Sequence, residues 1–191
     1  MYDSGISTQE LIDSLREEVD IAVPVTDEMY IAWLNATEQM LYSEIIQEQH
    51  KITVTPNSDV IILSELHIES GQDKIRFEDI YTFFADGTQY IKTNLTSGTI
   101  FPETYYKKDN NAAFNAPTMP KEIAIYYFIR PALKTEETMS THICVPPEFI
   151  EIIKSKLRGE AYKIANEDAI AAKWINDYNV LVEMFRSWTM G

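Results

Sequence analysis

The sequence predicts an α+β fold in which N- and C-terminal helices form a helical bundle and an antiparallel β module is inserted between them. Three observations carry this prediction. Apolar residues recur at helical spacing through residues 1–50, the period changes to two at about residue 51, and helical spacing returns after Pro146 and Pro147. The expected organisation is therefore residues 1–50 and 146–191 for the helical body and 51–145 for the β module.

The first helix is expected in "STQELIDSLREEVD". Ser7 or Thr8 can cap it, Glu10 is placed for a capping box, and Leu11, Ile12 and Leu15 form one apolar stripe. After the break at Pro24, Thr26 caps "DEMYIAWLNATEQMLYSEIIQEQH", which opens with two acids, as the helix dipole prefers, and whose Met29, Trp33, Ala36, Met40 and Tyr42 through Ile46 predict an amphipathic helix. Strands are expected in "KITVTP", in "DVIILSELHIES", in "EIAIYYFIRPAL" and in "STHICVP". In "YTFFADGTQYIKT", Asp86-Gly87 supplies the positive-φ pair of a two-residue hairpin turn. Residues 107–121 fall in the polar run "YYKKDNNAAFNAPTMPKE" and are expected to be a long loop, a length associated with function or mobility.

A further helix is expected to start at "VPPEFIEIIKSKL", with Pro147 in its first turn and Phe149, Ile152, Ile153 and Leu157 along its buried side. Helical character runs on to about Trp188, too long for one straight rod in a domain of this size, so a break is expected near Asn166 to Asp168. Asn166 can close one helix and Asp168 can cap the next. Ala161, Ala165, Ala169 and Ala172 recur at spacings of four, four and three, a small-residue seam suited to close subunit or helix packing.

Composition narrows the function. The chain has 191 residues, 45% apolar, enough for a sizeable core, and no run approaches the ~18 apolar residues of a membrane span. The start "MYDSGISTQE" has neither the basic nor the apolar character of a signal peptide, so a soluble protein that is not secreted is expected. The single Cys144 excludes an internal disulfide and reads as a buried small hydrophobe. Formal charge is −14, and residues 1–50 hold eleven acids against the single base Arg16. General nucleic-acid binding needs cationic side chains that displace phosphate counterions, so it is excluded. The acids suit a solubilising surface, a surface past which DNA slides without sticking, or a DNA mimic.

Catalytic signatures are weak. Glu65, His67 and Glu69 would share a strand face and offer carboxylate and imidazole ligands, but strand alternation accounts for them equally, and no metal or other cofactor is expected. His142 and Cys144 also share a strand face, which fits a Cys-His pair, but a strand that ends at a proline accounts for them structurally. No phosphate-binding glycine loop, nucleophile elbow or HExxH helix is present, and no catalytic residue is assigned. Eleven aromatics between Tyr81 and Phe128 could stack on bases or sugars, though cross-strand packing absorbs most of them. The tail "EMFRSWTMG" brings Phe185, Arg186, Trp188 and Met190 together, either as core or as an anchor set inserted into a partner.

With these zones in place, the chain resembles the head-to-tail connector (adaptor, or neck) proteins of tailed bacteriophages. The resemblance rests on "LIDSLREEVDIAVPVTDEMYIAWLNATEQMLYSEII" at the front, and on "IYYFIRPAL" and "VPPEFIEIIKSKLRGEAYKIANEDAIAAKWINDYNVLVEMF" at the back. It implies a structural virion protein, not an enzyme, that forms a ring of its own copies, typically twelve-fold, beneath the portal protein. Such a ring continues the channel for double-stranded DNA to the next neck or tail protein, with no membrane contact. The resemblance places the protein in the virion neck, and in the host cytoplasm during assembly. It carries portal docking onto Phe185, Arg186, Trp188 and Met190, and a channel wall fits the acids Glu10, Asp13, Glu17 and Glu18. The alternative is an acidic inhibitor or DNA mimic; a metal-dependent enzyme built on Glu65, His67 and Glu69 stands third.

Overall fold

The structure is a computed structural model that describes residues 1–66, 68, 74–93, 102–115 and 120–191. The fold is α+β, with helices at both ends of the chain and, among the described residues, a seven-stranded curled sheet. It divides into two compact units, one of residues 1–46 with 130–191 and the other of residues 47–129. Among the described residues, no helix is long and apolar enough to cross a membrane.

In the helical unit, α1 (Thr8–Glu18) starts with the expected capping box: the Glu10 amide donates to Ser7 Oγ at 3.2 Å, and the Ser7 amide donates to Glu10 Oε2 at 2.8 Å. Its Leu11, Ile12 and Leu15 are fully buried. Thr26 caps α2 (Asp27–Leu41), which buries Tyr30, Ile31, Leu34 and Leu41 against the same core. The helix is shorter than its apolar periodicity suggests. It widens into a π-turn at Tyr42–Ile46, and Gln47 at φ 45° ends it before the first strand.

Pro147–Phe149 form a 3-10 turn that leads into α3 (Ile150–Ile164). The expected break follows: Asn166 sits at φ 59°, and the amides of Asn166 and Glu167 donate back to the carbonyls of Lys163 and Tyr162, both at 3.0 Å. α4 (Asp168–Met190) then returns along α3, with Glu167 rather than Asp168 in the capping position. The close approach of the two helices is set by Gly159. A Cβ there would lie 2.6 Å from Ile175 Cδ1 and 2.9 Å from Cγ1 but 3.5 Å from its backbone nitrogen, so a larger residue would have to displace the Ile175 side chain.

Residues 130–145 belong to the helical unit and not, as their alternating pattern predicts, to the β module. "STHICVP" is not a strand of the sheet: its backbone makes an isolated bridge between His142 and Ser7, and Ile143 and Val145 are buried in the helical core. Apolar alternation there reflects a strap that lies over helices, which demands one buried side just as a sheet does.

The β unit has β1 (Gln49–Val54), β2 (Val60–Ile61), β3 (Ile80–Ala85), β4 (Thr88–Lys92), β5 (Thr104–Lys108), β6 (Asn111–Asn115) and β7 (Ile123–Phe128), in spatial order β1-β7-β3-β4-β5-β6-β2. All neighbours are antiparallel except β4 and β5. Asp86 and Gly87, at φ 50° and 81°, make the expected hairpin turn. The long loop expected at 107–121 is instead largely a second hairpin, β5–β6, turned by Asp109 and Asn110 at φ 49° and 64°. Aspartate and asparagine tolerate this left-handed pair, so the turn needs no glycine and escapes a search for Asp-Gly or Asn-Gly. Residues 116–119 of that run lie outside the described residues. The described residues of "DVIILSELHIES" contribute β2 and a 3-10 turn at Leu63–Glu65; residues 67, 69 and 70 of that run lie outside the described residues. The sheet closes over Phe77, Phe83, Tyr90, Tyr105 and Phe114, whose rings meet mainly edge to face; Phe83 lies 4.5 Å from Tyr105 and 4.7 Å from Phe114.

Candidate assembly surfaces

The C-terminal half of α4 is anchored on one side and open on the other. Phe185 is fully buried, 4.7 Å from the Phe149 ring, and Trp188 packs on both, 5.3 Å from Phe149 and 5.9 Å from Phe185. Tyr2 approaches Trp188 to 6.0 Å. Of the four residues read as an anchor set, Phe185 is therefore core, and Arg186 is held along its own helix by Glu183 at 2.7 Å. Trp188 and Met190 remain 47% and 76% exposed. Val180 and Met184, 53% and 57% exposed, continue the row from Trp188 at intervals of four residues. Those two were missed in the sequence, where they look like ordinary members of a buried stripe; only the placement of Val182 and Phe185 against the core shows that they point the other way.

The alanines divide between two helices. Ala161 is fully buried on α3 and Ala165 half-buried at its end, whereas Ala169 and Ala172 are exposed on α4. The turn at Asn166 interrupts the seam; the approach of α4 to α3 is seen instead at Gly159, which faces Ile175, while Ala171 is the buried alanine of α4.

The four acids read as a channel wall are all exposed on α1 and its N-terminal cap, but two of them are committed. Glu10 is the capping-box carboxylate, held below its usual pKa by the Ser7 amide and hydroxyl. Glu18 receives Arg158 Nε at 3.0 Å, Lys154 at 3.1 Å and Ser14 Oγ at 2.7 Å. Burial alone would raise its pKa, but these donors outweigh burial and bring it down to about 2. Arg158 also reaches Glu151 at 2.9 Å and lies 4.6 Å over the Trp174 ring, so one guanidinium ties α1 to α3 and α4. Asp13 takes a hydrogen bond from Gln9 at 2.9 Å and pairs with Arg16 at 3.8 Å, which leaves Glu17 projecting from the exposed side of the helix.

A buried polar cluster went unread in the sequence. Asn35, Glu38 and Gln39, on one face of α2, hold the strap of residues 130–145. The Lys134 ammonium meets Glu38 Oε2 at 2.7 Å, with the two side chains 4% and 1% exposed, and the Cys144 amide donates to Glu38 Oε1 at 2.6 Å. Asn35 exchanges two hydrogen bonds with the Lys134 backbone at 2.8 and 2.9 Å, and Gln39 Nε2 donates to the Pro131 carbonyl at 2.7 Å. Burial pushes the Glu38 carboxyl up, against the opposing pull of Lys134 and the Cys144 amide. Burial likewise pushes the Cys144 thiol up, with Glu38 adding to the effect. Its sulfur faces Lys134 at 3.5 Å, while the His142 imidazole turns to Asp3 at 3.0 Å, so the two do not form a nucleophile and base pair.

His67 and Glu69 lie outside the described residues, and among those described no group of three or more His, Cys, Asp or Glu side chains is placed to hold a metal ion. A cavity of about 450 Å³ in the β unit is lined by Lys74 and Arg76 but also by Glu78 and Asp109, a mixed lining with no single charge preference. The chain matches no protein-family model and no curated protein sequence.

Proposed function

We propose that this chain is a head-to-tail connector subunit of a tailed bacteriophage, which forms a ring beneath the portal and continues the DNA channel toward the tail. The observation that carries the reading is the exposed apolar surface of α4, where Val180, Met184 and Trp188 form a row and Met190 stands exposed at the end of the helix, while Val182 and Phe185 are anchored in the core. A rigid helix that presents apolar side chains to solvent is suited to insertion in a partner's groove. In this reading Trp188 and Met190 dock, Val180 and Met184 extend the docking row, and Phe185 holds the helix in place. In this reading the acidic side of α1, from which Glu17 projects without a partner among the described residues, faces the channel and repels DNA phosphates so that the duplex slides. The β5–β6 hairpin reaches a neighbouring copy or the next tail component.

The test is the solution mass by light scattering, for the protein alone and mixed with candidate portal protein. A ring, or a monomer that becomes a ring on the portal, agrees with the reading; a species that stays small in both samples counts against it. Because Phe185 is core, truncation after Met184 would also unfold packing. Val180→Ser with Met184→Ser is the cleaner variant, expected to leave the fold intact and to weaken portal association.

A further inference from the structure

The two edges of the sheet are finished differently. At one edge β2 is two residues long, and its pairing with β6 turns the Val60 backbone outward. Ser58 closes those groups: the Val60 amide donates to Ser58 Oγ at 3.2 Å, and the Ser58 hydroxyl donates to the Val60 carbonyl at 2.8 Å. That edge offers no template to another strand.

The opposite edge is unpaired among the described residues. β1 is six residues long and contains neither proline nor glycine. The Ile129 amide donates to the Glu48 carbonyl at 3.0 Å, so antiparallel alternation directs the backbone groups of His50, Ile52 and Val54 toward β7. Those of Gln49, Lys51 and Thr53 face away, and among the described residues nothing pairs with them. The side chains of these three residues are exposed and share a face with Phe128, Tyr126 and Ala124 across the ladder. Beside the edge, Tyr126 packs on Phe84 at 5.6 Å and Phe128 on Tyr81 at 5.8 Å; Tyr81 is 60% exposed, and Lys51 Nζ lies 5.7 Å from the Tyr126 ring.

We propose that the outer edge of β1 receives an extended strand of another protein, one that carries an acidic side chain beside Lys51 and apolar residues at the alternate positions. Main-chain hydrogen bonds to Gln49, Lys51 and Thr53 supply the affinity, and Lys51, the one formal charge on β1, supplies the selection. A second copy of β1 is a poor occupant. Outward-facing residues must pair with outward-facing residues, so full antiparallel overlap sets Lys51 against Lys51, and neither Gln49 nor Thr53 offers it a counter-charge in a shifted register. The alternate positions lie beside Ile52 and Val54, which are half-buried and favour apolar neighbours.

Amide hydrogen exchange on the intact chain tests this, with an acetylated synthetic peptide Ser-Val-Thr-Val-Glu-Val-Thr-Val-Ser as probe and its central-lysine counterpart as control. Exchange at Gln49, Lys51 and Thr53 should slow by about tenfold or more with the glutamate peptide and little with the lysine peptide. A Lys51→Glu chain should reverse that preference. The amides of His50 and Ile52, already bonded to β7, report whether the variant keeps its sheet. Unchanged exchange at the three outward amides, or equal slowing by both peptides, overturns the proposal. So does slowing that depends on protein concentration without peptide, which would make a second copy the occupant. The outcome is independent of ring formation.

Discussion

Replacing Lys134 by methionine isolates the buried ion pair that holds the strap to α2. In the wild-type protein Glu38 is 1% exposed and has two partners, the Lys134 ammonium at 2.7 Å and the Cys144 amide at 2.6 Å. Lys134→Met keeps the length of the stem but leaves a carboxylate with the amide alone, and stranding a buried charge in this way costs about 3–5 kcal/mol. Trp33, Trp174 and Trp188 all lie in the helical unit, so tryptophan fluorescence during urea unfolding follows that unit specifically. With a slope of roughly 2 kcal/mol per molar urea, the midpoint should fall by about 1.5–2.5 M.

The double variant Glu38→Gln with Lys134→Met removes both charges yet keeps an oxygen for the Cys144 amide, and should recover most of the loss. The pH response gives a further check. In the single variant the folded carboxyl titrates above its unfolded value, so the folded state binds the extra proton, and stability should rise as pH is lowered from neutral toward 5. A midpoint within 0.5 M of wild type on the order expected for a surface change, or a double variant as unstable as the single one, would refute the reasoning.

Three more outcomes follow from the same packing. Gly159→Val would crowd the Ile175 side chain, and should destabilise the helical unit by about 1–3 kcal/mol in the same urea assay; a neutral result would mean that Ile175 can move aside without cost. Phe185→Ala removes a fully buried ring and should cost about 3–5 kcal/mol, whereas Met184→Ser on the opposite side should stay within about 0.5 kcal/mol, so equal losses would contradict the anchored and open sides of α4. Glu18 has a folded pKa of about 2, below its unfolded value near 4.5, so its contribution is present above pH 4.5 and lost as pH falls toward 2. Glu18→Gln should flatten the acid limb of stability by roughly 1 kcal/mol, after allowance for solvent screening of a carboxylate that is 36% exposed. An unchanged acid limb would show that Arg158 does not depend on it.

Much of this architecture was legible in the chain because its signals are local. The capping box of Ser7 and Glu10, the Asp86-Gly87 turn, the strands around Ile52 and Ile125 and the helix break at Asn166 each depend on residues within a few positions of one another. Backbone propensity and side-chain period act over that range, and no distant partner is needed to read them. Tertiary structure alone decided the rest. Glu38 counts in the sequence as one more acid of a charged surface, and only the return of Lys134 and Cys144 from about a hundred residues away makes it the centre of a buried cluster. Ala169 and Ala172 continue an alanine spacing that the turn at Asn166 then carries out of register, so the close helix contact falls to Gly159. Val180 and Met184 differ from Val182 and Phe185 only by a rotation about the helix axis. Which of two apolar sides a helix buries depends on what packs against it, and periodicity measures the spacing of a stripe without naming its partner.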